Sequence, residues 1–117
     1  VYTSGPMDSR MTREQSLAIN TPKGLIVVAG CSHPGIVEIT RKFRDTLNQD
    51  IYAVLGGYHL MNDSEQEVGG VTRRLKELGV QRCGASHCTG KNQIEMFRTA
   101  FGSDYIEMGA GQVVILQ

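Results

Sequence analysis

Three histidines recur at the same place in a repeating pattern. His33 lies in Gly30-Cys31-Ser32-His33-Pro34-Gly35, His59 in Gly56-Gly57-Tyr58-His59, and His87 in Gly84-Ala85-Ser86-His87-Cys88-Thr89-Gly90. Imidazole is the commonest metal ligand and an acid–base that works near neutral pH. The glycines beside each histidine let the backbone turn sharply and approach a bound group. One histidine after a strand is ordinarily a turn residue or a helix cap. Three at equivalent positions, separated by 26 and 28 residues, point to a shared polar site. Cys31 and Cys88 flank it. Residues two apart on an extended segment point the same way and adjacent residues point apart. Cys31 therefore faces the site with His33 if strand geometry continues that far, and Cys88 is expected to face away from His87. A small buried cysteine is the plainer alternative for both.

The elements that must position these residues are legible from periodicity. Residues 15–20 read as a short strand. Thr21-Pro22-Lys23-Gly24 suits a type I turn, with Pro second and Gly fourth. Residues 25–29 and 51–55 are apolar without alternation, which predicts strands covered on both faces. Pro34 suits a first helical turn, and Ile36, Thr40, Phe43 and Leu47 form one helical stripe. Asp63 with Gln66 three residues on resembles a capping box. Val68, Val71, Leu75 and Leu78 give a second stripe that Gly79 ends, although Gly69-Gly70 inside it costs about 1 kcal/mol per glycine. Residues 80–84, with Cys83 as a core residue, form a third strand. Thr89 caps a third helix with Ile94, Phe97 and Phe101 inward. Residues 105–108 and 113–116 read as a closing hairpin, and residues 1–13 as an irregular lead-in to a domain over 14–117. Three strand–turn–helix units in series predict parallel pairing with right-handed crossovers. The carboxyl ends of parallel strands share one rim, where open α/β folds bind ligands.

Composition narrows the function classes. The 117 residues carry 12 basic and 12 acidic side chains, so charge gives no case for nucleic acid or an anionic membrane. At 40% apolar and 21% charged the chain is globular. No apolar run approaches the roughly 20 residues of a membrane span, and no secretory signal is visible. The chain begins at Val1, which reads as a piece of a longer polypeptide. Three cysteines, an odd number, cannot complete a disulfide framework, and a reducing, cytoplasmic setting fits them better. No Cys-x2-Cys pair supports a zinc finger. Arg41, Lys42, Arg44, Arg73, Arg74 and Lys76 read as solvated helix faces. A nucleotide site is disfavoured because Pro34 removes a donor N–H from the 30–35 loop.

Residues 15–36, Tyr52-Ala53-Val54-Leu55-Gly56-Gly57-Tyr58-His59-Leu60 and Ser86-His87-Cys88-Thr89-Gly90 together resemble the metallo-β-lactamase-fold hydrolases. The resemblance is strongest to the dihydropterin-ribofuranosylaminobenzene phosphate synthase-like branch, and it runs from about residue 14 to the end. It implies an α/β fold: half of an αββα sandwich, a mixed sheet with parallel core strands and about three helices. It also implies a one- or two-metal site at the rim. His87 is similar to the superfamily's last metal-ligand motif. Cys31 stands where many members carry a bridging Asp, with His33 two residues on, so either is a candidate ligand. His59 sits where a tRNA-processing branch has a catalytic His. The superfamily's His-x-His-x-Asp-His motif is absent, so the chain resembles the carboxy-terminal half alone.

The expected function is therefore that of a segment of a metal-dependent hydrolase. Metal-activated water would attack an ester, lactone or phosphate-type bond of a small-molecule substrate. His33, His87 and Cys31 are the candidate ligands of Zn²⁺ (or Fe/Mn), and His59 is the candidate catalytic residue. In an isolated half, metal binding should be weak or absent and catalysis poor. Several hundred square ångströms of uncovered apolar sheet would cost on the order of 10 kcal/mol at ~25 cal/mol per Å². Self-association, or an amino-terminal half supplied by another chain, is expected to cover it. The alternative is a non-enzymatic oligomeric half-domain, a binding or structural module.

Overall fold

A strand that is apolar on both faces is stable only inside a sheet, and two such runs set this architecture. The computed structural model describes residues 1–9 and 12–116, except for the side chain of His87. In chain order the strands are β1 (Tyr2–Thr3), β2 (Met7–Asp8), β3 (Arg13–Glu14), β4 (Leu17–Thr21), β5 (Gly24–Ala29), β6 (Ile51–Gly57) and β7 (Arg82–Ser86). The helices are α1 (Ile36–Leu47), α2 (Glu65–Glu77) and α3 (Lys91–Phe101), with 3-10 turns at His87–Thr89 and Gly102–Asp104. The main sheet has the order β1-β4-β5-β6-β7. β4 is antiparallel to β5 across the Pro22-Lys23 turn, and β5, β6 and β7 are parallel. The fold is thus α/β, a mixed five-stranded sheet with the parallel core and the three helices that the periodicity predicts.

The helices form one layer, α1 on α2 and α2 on α3, against β5, β6 and β7. Leu25, Val27 and Val54 from the sheet meet Ile36, Ile39, Phe43, Val68, Leu75, Phe97 and Phe101 from the helices, all buried. The pleat turns the alternate residues to the other side. Leu17 pairs with Val28, and Ile19 with Ile26. There Leu17, Ile19 and Val28 are 44%, 40% and 36% exposed, so this face has no covering layer among the described residues. None of the described helices is long and apolar enough to cross a membrane.

Several local expectations are corrected. Residues 1–13 are not irregular throughout: β1 pairs with β4, and β2 with β3. The capping box of α2 is one residue later than expected. The Ser64 hydroxyl accepts from Glu67 N–H while the Glu67 carboxylate accepts from Ser64 N–H. The Ser64 backbone N–H, and after it the Ser64 hydroxyl, hold the Glu67 carboxyl below its ordinary range. Pro34 lies ahead of α1, whose N-cap is Gly35. Thr89 does not cap α3; its hydroxyl is spent on the backbone of two loops, as described below. The closing hairpin does not form. The Ile106 N–H donates to the Cys83 carbonyl at 2.7 Å, and Tyr105 bridges Cys83 in parallel. The free edge of β7 takes the tail instead, and no strand is assigned from 106 to 116. Val113 and Ile115 remain exposed, with no second apolar layer among the described residues to reward pairing.

Candidate metal centre

The carboxyl ends of β5, β6 and β7 lie on one edge, and three loops leave from it: loop one (30–35) after β5, loop two (58–64) after β6 and loop three (87–90) after β7. Loop one is tied to loop two by Gly57 N–H donating to Gly30 O at 2.8 Å and by the Ser32 hydroxyl donating to Gly57 O at 2.5 Å. Loop two is tied to loop three through Thr89. Its hydroxyl accepts from Tyr58 N–H at 3.0 Å and donates to Ser86 O at 2.8 Å. Tyr58 is buried, packs edge-on against Phe97 at 5.0 Å, and donates its hydroxyl to Val54 O at 2.7 Å. Burial pushes the Tyr58 phenol well above its ordinary range, so it stays a donor. Ser32 and His59 adopt left-handed backbone, φ +63° and +50°. Such residues persist where surrounding contacts over-determine them, and they concentrate at functional sites.

This lacing brings Cys31 and His59 together. The Cys31 Sγ is 3.4 Å from His59 Nδ1, and the His33 and His59 ring centroids are 4.3 Å apart at 46°. Cys88 joins them, contrary to the expectation that it faces away. The 3-10 turn at His87–Thr89 replaces extended chain there, so strand alternation no longer applies. One donor atom from each of Cys31, His59 and Cys88 lies within 4.8 Å of the others. Cys31 and Cys88 are joined as a disulfide across 57 residues, which corrects the expectation of unpaired thiols. Cys83 is the free thiol, buried in the core as expected and pushed up to about 12 by burial. His87 opens the 3-10 turn, and its side chain, a candidate ligand, lies outside the described residues.

His33 is held from behind by Glu14, which no motif or periodicity singled out. The His33 backbone N–H donates to one carboxylate oxygen at 3.1 Å, and Nδ1 sits 2.8 Å from the other. A carboxylate can only accept, so Nδ1 carries the proton and Nε2 is the nitrogen left for a ligand or a proton. Glu14 comes from β3, at the boundary between the expected lead-in over 1–13 and the domain over 14–117. Asp63, beyond His59 in loop two, is pushed up by burial and by Glu67, while His59 opposes the shift.

The donor set fits a metal in its dithiol state. Two thiolates and one imidazole with a position left open are a zinc-type arrangement. A disulfide sulfur is not a thiolate, and the thiolate is the ligand form.

Two known proteins are similar to this chain over most of its length. The crystal structure of Tm1679, a metal-dependent hydrolase of the beta-lactamase superfamily, matches 89% of this chain with a TM-score of 0.83 and 35% identity. The chain is thus homologous to part of a metallo-β-lactamase-fold protein, the superfamily its motifs resemble. Over 102 residues, 86% of its length, it is also 40% identical to the 7,8-dihydropterin-6-methyl-4-(beta-D-ribofuranosyl)-aminobenzene-5'-phosphate synthase of Methanocaldococcus jannaschii. It spans 41% of the Tm1679 chain and 35% of that synthase. No family model matches the chain.

Proposed function

We propose that this chain is the carboxy-terminal segment of a metal-dependent hydrolase acting on an ester, lactone or phosphate-type bond of a small molecule. The observation that carries the reading is the convergence of Cys31, His59 and Cys88 within 4.8 Å at the rim of the parallel strands. In this reading Cys31, His59 and Cys88 hold the ion, and His87 adds the ligand its motif implies. Bound Zn²⁺, Fe or Mn supplies a Lewis acid that lowers the pKa of water toward neutrality. His33, its Nδ1 fixed by Glu14, offers Nε2 to take a proton from the attacking water and return it to the leaving group. We place the chain in the cytoplasm, where thiol pools keep Cys31 and Cys88 reduced.

The intact protein, with the upstream segment that we infer to carry His-x-His-x-Asp-His, provides the test. Loaded with Zn²⁺, Mn²⁺ or Fe²⁺, it should turn over one of p-nitrophenyl acetate, an alkyl lactone or p-nitrophenyl phosphate. His33→Ala should lower kcat by about 100-fold or more, the usual size of a general acid–base contribution. Metal-loaded intact protein that turns over none of the three probes overturns the reading.

One observation favours a second reading, a non-enzymatic oligomeric module: the open sheet face at Leu17, Ile19 and Val28. A metal-free chain sedimenting as a stable dimer supports it, and a clean monomer with little hydrophobic-dye binding overturns it.

A further inference from the structure

We propose that Cys31 and Cys88 form a thiol–disulfide switch that decides whether this rim holds a metal. The proposal rests on the metal-site part of the reading above and adds its regulation. Its basis is that the same two sulfur atoms serve both states. Joined, they are a disulfide between loop one and loop three; separated, they are two of the three donors grouped with His59. The two states therefore exclude one another.

The backbone is built for either state. The Cα atoms of Cys31 and Cys88 are 6.0 Å apart, inside the range that a disulfide bridges without backbone movement. Ser32 and Thr89, each next to one cysteine, hydrogen-bond to loop two and to the Ser86 carbonyl, so both loops stay fixed whether or not the sulfurs are bonded. Cys83 takes no part, being fully buried within β7. A cytoplasmic disulfide in a small α/β protein is ordinarily transient and redox-sensing rather than structural.

The chemistry balances with a peroxide as oxidant. Cys31 is the less buried of the pair, so its thiolate attacks one peroxide oxygen, forming a sulfenic acid and releasing hydroxide. The Cys88 thiolate then displaces the second hydroxide from that sulfur, closing the S–S bond. Two protons convert both hydroxides to water, and the cation leaves because its thiolate ligands are gone. A small dithiol reverses the step: its two thiols become a disulfide as Cys31 and Cys88 regain their protons.

The experiment uses the full chain, reduced, freed of reductant and loaded with one equivalent of Zn²⁺. Peroxide titration is followed by a chromophoric zinc chelator and by intact-protein and peptide mass spectrometry. Zinc release should track the loss of two hydrogens and the appearance of a Cys31–Cys88 linked peptide, and a dithiol should restore binding. The disulfide form should hold zinc at least about tenfold more weakly than the dithiol. Cys88→Ser should leave a dimedone-reactive Cys31 after peroxide, while Cys83→Ser should behave as wild type. Equal zinc affinity in the two forms, or oxidation that leaves Cys31 and Cys88 unlinked, overturns the switch. If zinc follows the thiol state but the intact protein hydrolyses no probe, the switch stands and the hydrolase reading falls. If hydrolysis proceeds undiminished in the disulfide form, the switch alone falls.

Discussion

Gly56→Ala is expected to leave too little folded protein to measure, although the change adds a single methyl group. Gly56 sits near the end of β6, paired with Ala29 of β5, at φ +129°. A Cβ there would lie 2.0 Å from the Ala29 carbonyl oxygen, which is backbone and cannot rotate aside. The backbone conformation alone costs an L-residue about 1–3 kcal/mol. Relieving the clash also means prising β5 from β6, the central pair of the sheet. The sum is a large part of the roughly 5–15 kcal/mol that holds a domain together. Urea unfolding followed by circular dichroism should show no cooperative transition. Gly69→Ala and Gly70→Ala are the controls. An added Cβ at either meets nothing within 4 Å, and both lie inside α2. Each should stabilise by about 0.5–1 kcal/mol. A Gly56→Ala protein with the wild-type urea midpoint would contradict this account of the β5–β6 contact.

The second large effect is on metal affinity. His59→Ala should weaken Zn²⁺ binding by the reduced chain about 100-fold or more, because it removes one of three grouped donors and leaves two thiolates to hold the ion. Loss of an outer-shell partner typically costs 10–100-fold, so loss of a direct ligand should cost no less. Glu14→Gln is the graded comparison. The amide keeps an oxygen to accept from His33 Nδ1 but removes the charge, so zinc affinity should change by less than in His59→Ala. Competition with a chromophoric chelator measures both.

Much of the fold is written in short-range pattern. The contiguous runs in β5 and β6, and the stripes Ile36-Thr40-Phe43 and Val68-Leu75, mark buried strands and one-sided helices, and those residues are buried. The gathering of Cys31 and His59 followed from parallel topology, since a common rim requires only that the strands run the same way. What sequence reasoning missed depends on contacts between distant segments or on near-degenerate local choices. Asp63–Gln66 and Ser64–Glu67 satisfy the same capping pattern one residue apart, and the buried set Val68, Thr72 and Leu75 goes with the later one. Cys88 turns inward because a 3-10 turn interrupts the extended chain; the glycine at 90 is the one local hint of that turn. Glu14 reaches His33 across 19 residues from a two-residue strand, and a lone glutamate ahead of a strand carries no signal of such a contact. The tail pairs with the β7 edge because that edge is open, a fact of topology rather than of the tail's own sequence.

The central claim is that Cys31, His59 and Cys88 act as one metal-holding group. Cobalt(II) titration of the reduced chain tests it most directly, since thiolate ligation and tetrahedral geometry each leave their own absorption. The account predicts one equivalent bound, with intense tetrahedral d–d bands and a sulfur-to-cobalt charge-transfer band. His59→Ala should weaken the uptake, and Cys31→Ser or Cys88→Ser should cut the charge-transfer intensity by about half. A weak, six-coordinate spectrum without charge transfer, unchanged by all three substitutions, would contradict it.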